Sequence, residues 1–139
     1  MKPILIAALL LAGCVQLPPS PQDLQAKRFE SVPGRAVIYV VRMPMDSMEA
    51  SGLALDDREQ IMTLWGTYYR WEVAPGTHRI TGVGRASESV TLATAAGGIY
   101  FLRHTVIGSP RMGATSTSLK QIPEQEGRAL VQQAQLLGG

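Results

Sequence analysis

The sequence predicts an all-β domain, mainly an antiparallel β-sandwich of about seven short strands, closed by one C-terminal α-helix. Three observations predict it. From residue 28 onward the apolar residues come in short continuous runs or in strict alternation, the period of two that strands require. Gly and Pro interrupt those runs at close intervals, as turns do. Apolar residues at helical spacing occur near the C-terminus, from Glu124 to Leu137. Strands followed by one helix fit a sandwich with a helical appendage. A small, partly open barrel fits the same periodicity.

The elements follow in order. Ala36-Val37-Ile38-Tyr39-Val40-Val41 is a continuous, largely β-branched run, expected as a central strand buried on both faces. Gly52 to Leu55 reads as a short strand, Asp56-Asp57 as a turn, and Ile61 to Leu64 as another strand. Tyr68 to Val73 alternates. Tyr69, Trp71 and Val73 share one face, and Tyr68, Arg70 and Glu72 share the other. Ala74-Pro75-Gly76-Thr77 reads as a turn, with Pro fixing φ and Gly allowing positive φ. If His78 to Gly82 returns as a tight hairpin, Trp71 faces Ile80 and Glu72 faces Arg79, both suitable cross-strand pairs. Ser87 to Leu92 alternates with Val90 and Leu92 inward, Ala96-Gly97-Gly98 turns, and Ile99 to Arg103 and Ser116 to Ile122 are the closing strands. The helix carries acidic residues at its start and apolar Ala129, Leu130, Ala134 and Leu137, with Gly138 to stop it.

The first residues carry an export signal. Lys2 supplies a positive start, and an apolar run from Ile4 ends at Gly13-Cys14. As a helix that run spans about 15 Å, half of a bilayer core of roughly 30 Å, so it is too short to span a membrane comfortably. Leu11-Ala12-Gly13-Cys14 resembles the lipobox of bacterial lipoproteins. That resemblance implies cleavage between Gly13 and Cys14. It also implies a diacylglycerol thioether and an N-acyl chain on Cys14, with no other cofactor. Two or three chains anchor firmly where one would not, because each buried methylene contributes about 0.8 kcal/mol. With Val15 rather than Asp after the cysteine, the resemblance implies the periplasmic face of the outer membrane, for a Gram-negative host. Segments are therefore expected at 1–13 (leader), 14–27 (lipidated cysteine and Pro-rich tether) and 28–139 (domain). Pro18, Pro19 and Pro21 suggest extended chain, with thirteen residues reaching about 40 Å and holding the domain clear of the headgroups.

Charge and cysteine content exclude several classes. The chain has 13 Lys and Arg against 11 Asp and Glu; without Lys2 that becomes 12 against 11, a net charge of +1. The basic residues are scattered, without the stripe that a nucleic-acid surface needs, so no nucleic-acid partner is expected. The single cysteine permits no intrachain disulfide.

Four stretches in order, Gly34-Arg35-Ala36-Val37-Ile38-Tyr39-Val40-Val41-Arg42, Gly66-Thr67-Tyr68-Tyr69, Glu72-Val73-Ala74-Pro75-Gly76-Thr77-His78 and Gly98-Ile99-Tyr100-Phe101-Leu102-Arg103, together resemble the bacterial lipoproteins of the domain of unknown function 2846 family. The resemblance spans about Phe29 to Leu137 and implies a small β-sandwich without an established activity. The Met-rich stretch between Arg42 and Gly52 departs from that family's pattern.

No catalytic constellation is expected. No G-x-S-x-G occurs, and Cys14 is consumed by lipid. Asp56 and Asp57 are adjacent turn residues rather than a carboxylate pair across a cleft. His78, following Pro75-Gly76, is expected to hold that corner by bonding turn carbonyls. His104, at a strand end, is expected at the surface or in loop packing. Met43, Met45 and Met48 offer soft thioethers that suit Cu(I), although flexible Met side chains covering a core edge explain them as well. Tyr68, Arg70 and Glu72 form an expected outward strip suited to a partner. The leading expectation is a lipid-anchored, non-enzymatic module that binds or scaffolds an envelope protein or a cell-wall component. The alternative is a metal-handling lipoprotein that uses the Met43, Met45 and Met48 loop.

Overall fold

The computed structural model describes residues 18–43 and 46–138, apart from the side chain of Thr115. Gly13, Cys14 and Met45 lie outside the described residues. In chain order the elements are α1 (Pro21–Ala26), β1 (Ala36–Arg42), β2 (Ser51–Leu55), β3 (Glu59–Thr63), β4 (Thr67–Val73), β5 (Gly76–Val83), β6 (Ser89–Thr94), β7 (Ile99–Ser109), β8 (Gly113–Ile122), α2 (Glu124–Gln133) and β9 (Gln135–Leu136). The strands form two sheets, ordered β8-β7-β1-β4-β9 and β3-β2-β5-β6. The chain is therefore a β-sandwich with a C-terminal helix, as the alternation in the sequence predicts.

Strand β1 lies at the centre, antiparallel to β4 and parallel to β7. Every residue of it is buried, which explains its unbroken apolar composition. Its two faces serve different cores. Ala36, Ile38 and Val40 pack between the sheets with Leu53, Ile80 and Leu102. Val37, Tyr39 and Val41 face the other way and pack with Phe29, Phe101 and Val131. The helices thus form a third layer over the five-stranded sheet, rather than an appendage.

That third layer corrects two expectations. The segment assigned to an extended tether at 14–27 is helical from Pro21 to Ala26. Ser20 caps it by accepting a 3.0 Å hydrogen bond from the Asp23 amide, and Pro21 suits a first helical turn because its missing N–H would have no partner there. Asp23 and Ala26 are buried against the domain. Likewise, Tyr68 is not part of an outward strip. It is 1% exposed, because the start of that β4 face lies beneath α1 and the C-terminal segment, where Tyr68 packs with Ala26, Val131 and Ala134.

The expected hairpin across Pro75-Gly76 does not form. The neighbours of β4 are β1 and β9, whereas those of β5 are β2 and β6. Trp71 stands opposite Ile38, and Ile80 lies between Leu55 and Val90. The chain instead crosses from one sheet to the other at Ala74-Pro75-Gly76, where Gly76 has φ 145°, in a region that other residues rarely enter. Val73 and Ile80 then meet in the same inter-sheet core. A true turn does occur at Asp56-Asp57, both in the left-handed region with φ 50° and 54°, which matches the twist of a tight hairpin.

The C-terminal helix ends at Gln133, before the predicted Leu137, because Gln135 and Leu136 pair in parallel with Thr67 and Tyr68. Its buried face is Gly127 and Val131, followed by Ala134, while Ala129 is exposed. A Cβ on Gly127 would stand 2.2 Å from Phe101 Cγ, so glycine there lets the helix lie directly on the sheet.

Candidate functional site

The residues singled out by sequence separate into three places. The first is a cleft of about 450 Å³ between α1 and strand β4, lined by Gln22, Gln25, Tyr39, Arg70 and Glu72 among others. Arg70 and Glu72, from the predicted strip, lie together here, and Tyr68 does not line the cleft. Glu72 stands between two cations. Arg70 Nη1 is 3.3 Å from its Oε2, and Arg35 Nε is 3.8 Å from its Oε1. The Arg35 guanidinium also donates to the Glu72 carbonyl at 2.9 Å. The Tyr39 hydroxyl, on the cleft floor, donates to the Ala26 carbonyl at 2.7 Å. Burial raises its pKa, with Arg70 partly opposing. Tyr69 donates to Glu59 at 2.8 Å, and burial together with that carboxylate pushes its hydroxyl up to about 12. Both phenols are therefore neutral at physiological pH. The cleft combines an apolar floor with amide, guanidinium and carboxylate groups, a composition that suits recognition.

The second place is the corner after Pro75-Gly76. His78 Nδ1 lies 2.7 Å from Asp56 Oδ2, and Nε2 lies 2.7 Å from the Ala74 carbonyl. Trp71 meets the ring edge-on at 5.3 Å. Asp56 also accepts the Arg79 amide at 2.7 Å. Burial alone would raise the Asp56 carboxyl, but His78 and the Arg79 amide outweigh it and hold the group below its ordinary value. Both imidazole nitrogens are committed internally. The bonds pin the sheet-to-sheet crossing to the β2–β3 turn, which accounts for His78 structurally.

The third place is a buried polar centre between the sheets, which sequence reading missed. Arg42 is 1% exposed. Its Nη1 donates to the Thr63 carbonyl at 3.0 Å, its Nη2 donates to the Ser47 carbonyl, and its Nε is 3.5 Å from Asp46 Oδ2. Burial draws the Arg42 pKa down, and Asp46 and Glu49 oppose this. His104, expected near the surface, is fully buried beside it. Its Nδ1 pairs with Thr63 Oγ1 at 3.2 Å, and its Nε2 has no hydrogen-bond partner among the described residues. Burial, with Arg42 adding to it, lowers His104 to about 4. A β-branched strand that runs to Arg42 without a break gives no local sign that the arginine stays inside. The available signal was Asp46, four residues on.

That loop carries Met43 and Met48. Met43 is half-buried, Met48 is exposed, and Met45 lies outside the described residues. The loop is fastened through its polar residues, with the Val106 amide donating to Asp46 at 2.7 Å and the Ser47 amide donating to the Val106 carbonyl at 3.3 Å. Asp46 and Ser47 bring acceptors to Arg42, which gives this part of the stretch a folding role. Among the described residues no three His, Cys, Asp or Glu side chains converge as metal ligands.

No protein-family model and no curated protein matches the chain. The four stretches from which a family was expected form β1, the start of β4, the sheet-to-sheet crossing and the start of β7.

Proposed function

We propose that this protein is a lipid-anchored, non-enzymatic binding module of the bacterial envelope. Acyl chains on Cys14 hold it to the periplasmic face of the outer membrane, and the cleft beside Arg70 and Glu72 engages an envelope protein or a cell-wall component. The observation that carries the binding assignment is the contrast between this cleft and the other polar sites. The cleft is open and lined by several kinds of hydrogen-bonding group, whereas His78 is consumed by its corner and His104 is sealed in the core. The anchor is supported by the Leu11-Ala12-Gly13-Cys14 motif.

Photo-crosslinking residues placed at Gln25 and Glu72 in intact cells test the cleft, with Thr91 on the exposed far sheet as control. The expected result is an adduct of defined mass from the cleft positions alone. Equal yields from Thr91 would remove the cleft from consideration. Cys14→Ser tests the anchor separately. Loss of lipid label and release from the membrane fraction are expected.

A further inference from the structure

The helical start of the domain changes where it can sit. Cys14 precedes Ser20 by six residues, so the chain between them reaches at most about 20 Å when fully extended. Asp23, in the first turn of α1, is fastened to the Tyr68 hydroxyl and the Leu136 amide. Tyr68 pairs with Val41, one residue from the end of β1, so the chain enters the domain at this end of the five-stranded sheet. Strand β1 alone is seven residues, about 23 Å, so the tether cannot present the opposite end to the bilayer without the domain lying between them.

The end where the chain enters is also the apolar end. All but one of the large apolar side chains left exposed among the described residues are placed there. Met48 lies in the loop after β1, Met62 near the end of β3, Leu64 and Trp65 in the turn into β4, Val83 at the end of β5, Ile107 near the end of β7 and Met112 in the β7–β8 turn. The exception, Leu24, is on α1 itself. The two sheets share this end, because Thr63 of β3 meets Arg42 and His104. Arg85 and Arg111 are exposed in the same set of turns. Of the acidic groups here, Asp46 is tied to Arg42, Glu88 accepts the Leu119 amide, and Glu49 is half-buried. Trp with Met and Arg is a composition suited to the headgroup layer, where an aromatic ring rests at the boundary and guanidinium meets phosphate.

We infer that this end, centred on Leu64 and Trp65, rests on the phospholipid bilayer that holds the Cys14 acyl chains, so that the domain lies against the membrane instead of standing clear of it. The inference depends on the acylation of Cys14 proposed above. It gives the short tether a purpose, since the anchor and the apolar end act on the same surface, and each raises the local concentration of the other.

Tryptophan fluorescence in vesicles tests it. The full acylated protein is reconstituted in phosphatidylcholine and phosphatidylglycerol vesicles, with and without lipid brominated near the headgroup end of its acyl chains. Trp71, packed against His78 at the far end, is the internal control. Wild-type protein should lose a large part of its emission to bromine, and Trp65→Phe, which leaves only Trp71, should lose several-fold less. Trp65 is 43% exposed and phenylalanine keeps an aromatic ring there, so the circular dichroism and unfolding midpoint of Trp65→Phe should match those of the wild type. If protein shown by mass to be acylated floats with the vesicles and neither chain is quenched, the docking is overturned and the anchor stands. If the purified protein carries no acyl chain and does not float, both readings fall. A blue shift of Trp65 that follows protein density, without bromine quenching, would assign this end to a second copy and overturn the inference.

Discussion

The Tyr68 hydroxyl donates a 2.8 Å hydrogen bond to the buried carboxylate of Asp23, joining the first helix to the five-stranded sheet. The same carboxylate pairs with Lys27 at 2.9 Å and accepts the Leu136 amide at 3.0 Å. Burial would raise Asp23, but these partners outweigh it and leave the carboxyl below its ordinary value, while burial and Asp23 push the Tyr68 hydroxyl up. One side chain therefore closes the N-terminal helix, β4 and β9 into a unit.

Tyr68→Phe should cost about 1 kcal/mol, since Asp23 keeps its other partners. Asp23→Ala should cost more, about 2–3 kcal/mol, because Lys27 and the Leu136 amide both lose an acceptor. In the double variant the costs should fall short of additive, as expected for groups in contact. Urea unfolding midpoints measure all three.

Gly127→Ala should destabilise the protein by about 1–3 kcal/mol, although alanine favours a helix over glycine by about 1 kcal/mol. The new methyl would meet the Phe101 ring at 2.2 Å. Thermal unfolding checks this, and Phe101→Leu in the same chain should recover part of the loss. A stabilised single variant would show that the helix does not rest on that ring.

Stability should fall as pH drops from about 6.5 toward 4, through His104. Its folded pKa is lowered to about 4 from 6.5, so in that window the unfolded chain binds the proton and the folded chain does not. Stability therefore rises with pH across the window and is fully present above the upper value. The change amounts to at most about 3 kcal/mol. Chemical denaturation at several pH values should show a slope that His104→Leu reduces, whatever its effect on the midpoint at neutral pH.

Arg42→Met should cost about 3–5 kcal/mol, because it leaves the Asp46 carboxylate, 2% exposed, without its cation. Hydrogen exchange should then show the 46–50 segment opening first. Met48→Leu, at a position 71% exposed, should change stability by less than about 0.5 kcal/mol.

The sequence alone determined the strand periodicity, the double burial of the run at Val37 to Val41 and the turn at Asp56-Asp57. Each is local, since alternation, β-branching and turn chemistry act over a few residues. Ser20-Pro21 with Asp23 was a legible helix start, obscured by the prolines around it. The tertiary structure decided which strands pair, which faces are covered and where charges hide. The composition of β4 suits a hairpin with β5, but edges already taken by β1 and β9 send the chain across to the other sheet. Tyr68 and Arg42 read as outward or scattered because their burial depends on residues far away in the chain, the helices in one case and the 46–47 loop with Thr63 in the other. Burial depends on what finally covers a face, and local periodicity cannot specify that.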